Sequence, residues 1–114
     1  MKQYIIEVKE NEKLIETLER EIKKRGIKKG LIVTLVGALK SFTLVTMKQN
    51  SDRTPPENFE KHFKEKVELT GNGLISDGKV HIHMTGGKEG GEAVSGHLIE
   101  GTVTYFVKIG ILIV

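Results

Sequence analysis

Three of the four histidines in this sequence fall within one stretch, Lys79 to Gly101, KVHIHMTGGKEGGEAVSGHLIEG. His81 and His83 stand at i and i+2, so on a β-strand both imidazoles leave the same face. Between them and His97 lies Gly86-Gly87-Lys88-Glu89-Gly90-Gly91, whose glycines tolerate positive φ and turn the chain. A hairpin closing symmetrically about Glu89 places His81 directly opposite His97, with Cβ atoms roughly 5 Å apart. Three imidazoles then form a triangle on one face of one hairpin, the outline of a metal site. Neutral imidazole suits a borderline-soft divalent cation, and zinc accepts three histidines plus one further ligand. A fourth position left open is the arrangement of catalytic rather than closed structural zinc. The competing reading is of surface or half-buried histidines bonded to backbone groups. His62, between Phe59 and Phe63, is read in that plain way, as a surface histidine on a short segment.

The elements that must position this hairpin are legible in outline. Lys2 to Lys9 alternates as a strand, with Tyr4, Ile6 and Val8 on one face. Asn11 is the expected cap of a following helix, in which Leu14, Ile15, Leu18 and Ile22 make an amphipathic stripe and Gly26 stands at C′. Glu16–Arg20 and Glu19–Lys23 are i,i+4 pairs in the favourable order. The basic run from Lys23 to Lys29 begins where cations suit the negative end of the helix dipole. Next, GLIVTLVGALKSFTLVTM reads as an apolar strand, a tight bend at Gly37-Ala38, and a second strand from Ser41 to Met47. Gln49 to Lys64 is polar, holds both prolines, and reads as a loop with one helical turn after Pro56. Lys66 to Leu69 reads as a strand, and Thr70-Gly71-Asn72-Gly73 as a turn or bulge. The tail TVTYFVKIGILIV is a long strand whose open edge would invite aggregation, so it is expected in a sheet or against another subunit.

Length and composition bound the rest. At 114 residues the chain is one domain, residues 1–114, near the size where association adds useful burial. It has no cysteine, which excludes a disulfide framework and thiolate metal sites. It has no signal-peptide-like start and no run of ~18 apolar residues, so a soluble, cytoplasmic protein without a membrane span is expected. The net charge is +3 with lysine and glutamate interspersed, the balance of a solvated surface rather than of a dedicated nucleic-acid binder. Abundant Lys and Glu without Cys would also fit a thermophile.

Leu35-Val36-Gly37-Ala38-Leu39-Lys40, Glu68-Leu69-Thr70-Gly71-Asn72, His81-Ile82-His83 and Ser95-Gly96-His97-Leu98 stand in the order seen in the PPC domain. This "plants and prokaryotes conserved" domain has long been one of unknown function. The resemblance runs from about Tyr4 to the C-terminus, with Lys48 to Lys64 unmatched and Ser95 in place of the first glycine of Gly-Gly-His-Leu. It implies an α+β fold, a mostly antiparallel β-sheet flanked by helices, assembled as a homotrimer. It also implies His81, His83 and His97 as metal ligands. In plants the domain follows AT-hooks, built on Arg-Gly-Arg-Pro, that contact DNA. Here Arg25-Gly26 is followed by Ile27, so this chain is similar to the stand-alone prokaryotic type, without AT-hook. Acetolactate decarboxylases are more distantly similar in holding zinc with a His-x-His pair and a third histidine.

Three functional classes follow. The leading one is a homotrimeric zinc-binding module with a regulatory or scaffolding role. The alternative is a metal-dependent enzyme, a lyase or hydrolase, in which zinc polarises a carbonyl or activates water. That requires a general acid or base beside the open ligand position. Glu92 and Glu100 are near in sequence, but strand parity turns Glu100 to the face opposite His97, whereas Ser95 shares that face. The third class is a nucleic-acid binder, disfavoured by the modest charge and the absent hook.

Overall fold

The computed structural model describes residues 2–114. In chain order the elements are β1 (Gln3–Lys9), α1 (Leu14–Lys24), β2 (Lys29–Met47), β3 (Asn58–Phe63), β4 (Val67–Ser76), β5 (Lys79–Gly87) and β6 (Ala93–Ile113), with a 3₁₀ turn at Glu89–Gly91 between the last two. Every strand pairing is antiparallel. The expected α+β class with a mostly antiparallel sheet holds, and a single α-helix flanks it. The sheet order is β1-β6-β5-β4-β2-β3, and β6 also pairs with β2. The pairings β2–β4, β4–β5, β5–β6 and β6–β2 therefore close a circuit, to which β1 adds on β6 and β3 on β2. The inward residues of the strands and the apolar stripe of α1 (Leu14, Leu18, Ile22) form one buried cluster with Phe42, Ile82, Met84 and Leu98. Among the described residues no helix is long and apolar enough to cross a membrane.

Several local expectations are corrected. The bend expected at Gly37-Ala38 is a bulge inside one continuous 19-residue strand. Gly37 pairs with Val107 and Ala38 with Thr104, so Tyr105 and Phe106 are skipped in the β2–β6 ladder, although Phe106 still pairs with Lys9 of β1. A side chain at Gly37 would put Cβ 2.1 Å from the Phe106 carbonyl oxygen, so only glycine lets the bulge form. Similarly, Thr70-Gly71-Asn72-Gly73 is no turn but the middle of β4. Cβ atoms at Gly71 and Gly73 would lie 2.5 and 2.1 Å from the carbonyl oxygens of His83 and His81. Two glycines thus let β4 approach the histidine strand closely. The segment after the prolines forms β3 rather than a helical turn, with Phe63 stacked on Phe42 at 4.8 Å between ring centroids.

The helix ends also differ in part. Asn11 adopts φ 71 in a turn and accepts a hydrogen bond from Lys40 Nζ instead of capping. The N-cap residue is Lys13, which supplies no side-chain cap. Glu100 of β6 does so, accepting from the Ile15 amide at 2.8 Å and the Glu16 amide at 3.1 Å. A carboxylate at that end also complements the helix dipole. The C-terminal expectation holds: Gly26 has φ 67, its amide donates to the Lys23 carbonyl, and that of Ile27 donates to Ile22, the Schellman pattern. The expected i,i+4 ion pairs give way to others, Arg20 with Glu12 and Lys79 with Glu19.

Candidate metal centre

Alternation along β5 buries Ile82 and Met84 and leaves His81 and His83 exposed on the outer face of the sheet. The turn that returns the chain contains Gly90 and Gly91 at φ 82 and 88, closed by the Lys88 amide donating to Glu92 and that of Gly91 to Lys88. Pairing runs from Gly87↔Ala93 to His83↔His97. The hairpin is therefore symmetric about Gly90, not Glu89, and His83 rather than His81 lies opposite His97. Moving the centre by one residue moves each partner by two, which preserves parity. All three histidines keep one face.

The rings gather there. Nε2 of His81 and Nε2 of His83 are 3.0 Å apart, so one ring donates to the other. The His97 ring stacks on His81 with centroids at 4.1 Å and lies 5.8 Å from His83. On its other side His97 is paired with Val45, which is buried. Burial, followed by the neighbouring His81 and His83, pushes the His97 pKa down from its ordinary value, which favours the neutral ring. His97 presents its ring face to His81, and among the described residues no three His, Asp or Glu side chains are placed to hold a metal ion.

The other residues singled out from sequence lie elsewhere or are committed. His62 sits on β3 with Nδ1 2.8 Å from the Thr43 hydroxyl. Glu100 caps α1 and also accepts from its neighbour's amide, that of Gly101. Glu92 pairs with Lys88 at 3.3 Å. Ser95 does share the histidine face, donating to the Met84 carbonyl at 3.1 Å and meeting the Thr85 hydroxyl at 3.2 Å. Two residues were not singled out. Asn72 stands directly across from His83 and so shares its face; it was hidden because Gly71-Asn72-Gly73 reads as a turn. Lys88 bridges Glu65 and Glu92 and lies over the Phe63 ring at 5.6 Å, pinning the hairpin turn to the start of β4. Hydrogen bonds to Glu92 and then Glu65 raise its pKa.

A single closed antiparallel sheet, one helix across it and a three-histidine face define a small α+β protein of a recognisable class. The chain belongs to the Plants and Prokaryotes Conserved (PCC) domain family, whose pattern matches residues 1–114. Among solved structures it is similar to the PPC protein of Pyrococcus horikoshii, at 28% identity and a TM-score of 0.80 over 100% of this chain and 80% of that one. It is likewise similar to a metal-containing protein from Archaeoglobus fulgidus, at 25% identity and TM-score 0.79 over 99% and 79%. A Bacteroides thetaiotaomicron protein, 25% identical with TM-score 0.80 over 97% and 78%, carries DNA binding in its name as an unproven assignment. None of the curated proteins compared with the chain matches it significantly.

Proposed function

We propose that the chain is a homotrimeric zinc-binding module in which His81, His83 and His97 hold the ion, serving a regulatory or scaffolding role. The observation that carries this reading is the gathering of three imidazoles on one exposed sheet face, with two Nε2 atoms 3.0 Å apart. Two nitrogens on a tetrahedral zinc with bonds of ~2.1 Å stand about 3.4 Å apart, so His81 and His83 are near their places. For His97 to join them its ring would have to turn off the face of His81. The donor set fits zinc in type and number, and a bound ion would supply Lewis acidity at its remaining position. The metal content of the Archaeoglobus relative supports the same reading.

The lyase or hydrolase alternative is weaker, because the carboxylates nearest in sequence are engaged, Glu100 on the amides of α1 and Glu92 on Lys88. DNA association rests only on the names of two relatives, and a net charge of +3 gives it little electrostatic drive. Metal analysis of purified protein tests the proposal. Wild type and His62→Ala should each carry one zinc per chain, and His97→Ala close to none. Equal zinc in wild type and His97→Ala would remove the site. Light scattering checks the three-chain assembly.

A further inference from the structure

Toward the turn end of the β5–β6 hairpin the outer face of the sheet is hollow. Ala38 of β2 pairs with Glu68 of β4, Glu68 with Gly87 of β5, and Gly87 with Ala93 of β6. Directly paired residues share one side of a sheet, so Glu68 stands in a row with two alanines and a glycine. A Cβ on Gly87 would meet nothing within 4 Å, which marks open space beside that carboxylate. The hollow forms a cleft of about 590 Å³ that reaches Val36, Phe106 and Thr85. Such a volume suits a small organic molecule. Among the described residues Glu68 is the only charged one lining the cleft, and it makes no ion pair. A wider cleft of about 1050 Å³ adjoins it and shares Ala38, Glu68, Gly87 and Tyr105. There Glu65 and Glu92 are answered by Lys88, which leaves Glu68 and Glu89 against Lys66 alone. Negative charge is therefore in excess at the mouth, although the whole chain carries +3. Tyr105, common to both clefts, is 79% exposed at φ 66, a conformation rare for a bulky residue.

We propose that this cleft binds a small organic ammonium ion, its nitrogen at Glu68 and Tyr105 and its hydrocarbon body over Val36, Phe106 and Ala93. A primary ammonium brings three N–H donors to a carboxylate that has no cationic partner in the protein. An aromatic ring beside the carboxylate adds the attraction of a cation for a π face. The rest of the lining is apolar apart from the Thr70 and Thr85 hydroxyls, so the ligand must carry hydrocarbon as well as charge. A carboxylate ligand would be repelled by Glu68. A neutral one would cover that charge without pairing it, which costs binding. The site is distinct from the histidine cluster and independent of any metal there. His83 precedes Gly87 by four residues on β5, roughly 13 Å at the rise of an extended strand.

The experiment titrates n-hexylammonium into the full chain and follows backbone amide shifts by NMR, with hexanoate and hexanol as anionic and neutral counterparts. Hexylammonium is expected to saturate and to move the amides of Glu68, Gly87 and Ala93, leaving those of His81 and His83 in place. Hexanoate should move none of them, and hexanol should bind about tenfold more weakly than the amine. Glu68→Gln keeps the shape of the cleft and should weaken hexylammonium about tenfold. Tyr105→Ala should weaken it about threefold. Gly87→Val fills the hollow without changing any charge and should abolish binding, with circular dichroism verifying that each variant folds. The proposal is overturned if hexylammonium moves none of the three cleft amides, or shifts only those of the histidines. It is equally overturned if Glu68→Gln or Gly87→Val binds the amine as wild type does. Tighter binding of Nα-acetyl-lysine amide than of hexylammonium would overturn the small-molecule reading and assign the cleft to a partner protein's lysine.

Discussion

Two polar clusters stand at opposite ends of the β5–β6 hairpin, and they are built on opposite logic. At the turn, Lys88 meets Glu65 and Glu92, each at 3.3 Å, so charge is answered by charge and Lys88 is held more firmly protonated. Nine residues further along β6, His97 meets His81 and His83, and no carboxylate lies within ion-pair distance of any of the three among the described residues. The first cluster is complete as it stands and serves to fix a turn. The second is a set of like groups that repel once protonated and, when neutral, offer lone pairs with nothing between them. The complementary cluster needs nothing further to hold its turn, whereas the like cluster is the one to which a cation is proposed to bind.

The largest effect should come from breaking the like cluster. His97→Ala removes one of the three proposed zinc donors and should lower zinc affinity at least a hundredfold, read by competition with a chelating dye. Lys88→Met should leave that affinity within a few-fold while speeding amide exchange at Gly90 and Gly91, whose turn it pins. If Lys88→Met lost zinc as completely as His97→Ala, the two clusters would not be distinct.

Next in size is a backbone effect. Gly73→Ala introduces a Cβ 2.1 Å from the His81 carbonyl, a backbone atom that can retreat only by moving β5. Overpacking of this kind should cost about 1–3 kcal/mol in urea unfolding and shift the histidine strand. Gly87→Ala, in β5 itself, meets nothing within 4 Å and should change stability little. Equal effects from the two would mean that the close approach of β4 is not what places the histidines. Glu100→Ala should cost less, about 1 kcal/mol, the usual value of a lost cap, with zinc affinity retained. Loss of zinc binding with unchanged stability would return Glu100 to the site.

Much of this was readable in the chain, and the failures share a cause. His81 and His83 on one face followed from strand parity, and His97 joined them even though the turn centre was placed one residue early, because such an error shifts partners by two. The C-terminal cap at Gly26 followed from local chemistry. What could not be read was non-local. Glu100 caps a helix 84 residues earlier in the chain at Glu16, while Asn11, the obvious local cap, is drawn into a turn with Lys40. Glycines at 37, 71 and 73 looked like punctuation. Their reason is the approach of another strand, to Phe106 or to the histidine carbonyls, which sequence spacing does not reveal. The stacking of His97's ring on His81 is likewise a non-local contact, in a strand that also pairs with β2 at Val45.

The smallest effect, and the one that isolates the like cluster without any metal, is the response of stability to pH. In the folded chain His97 is harder to protonate than in the unfolded chain, because burial and then the neighbouring His81 and His83 lower its pKa. Near pH 6.5, the ordinary value for histidine, the unfolded state therefore binds more protons than the folded one. Stability then rises with pH across that window. The contribution is full above the unfolded value and is eroded as pH falls through it, down to a floor once the folded ring is protonated too. Urea midpoints of metal-free protein between about pH 7.5 and pH 5.5 should fall toward acid. The same series on His97→Gln should be flatter, since that variant has no ring to charge, and Lys88→Met should keep the wild-type slope. Adding zinc should steepen the wild-type curve, because only the neutral rings bind the ion. A wild-type midpoint that rises toward acid, or a slope unchanged in His97→Gln, would mean that burial and the neighbouring imidazoles do not depress the His97 pKa, and the contrast with the Lys88 cluster would fall.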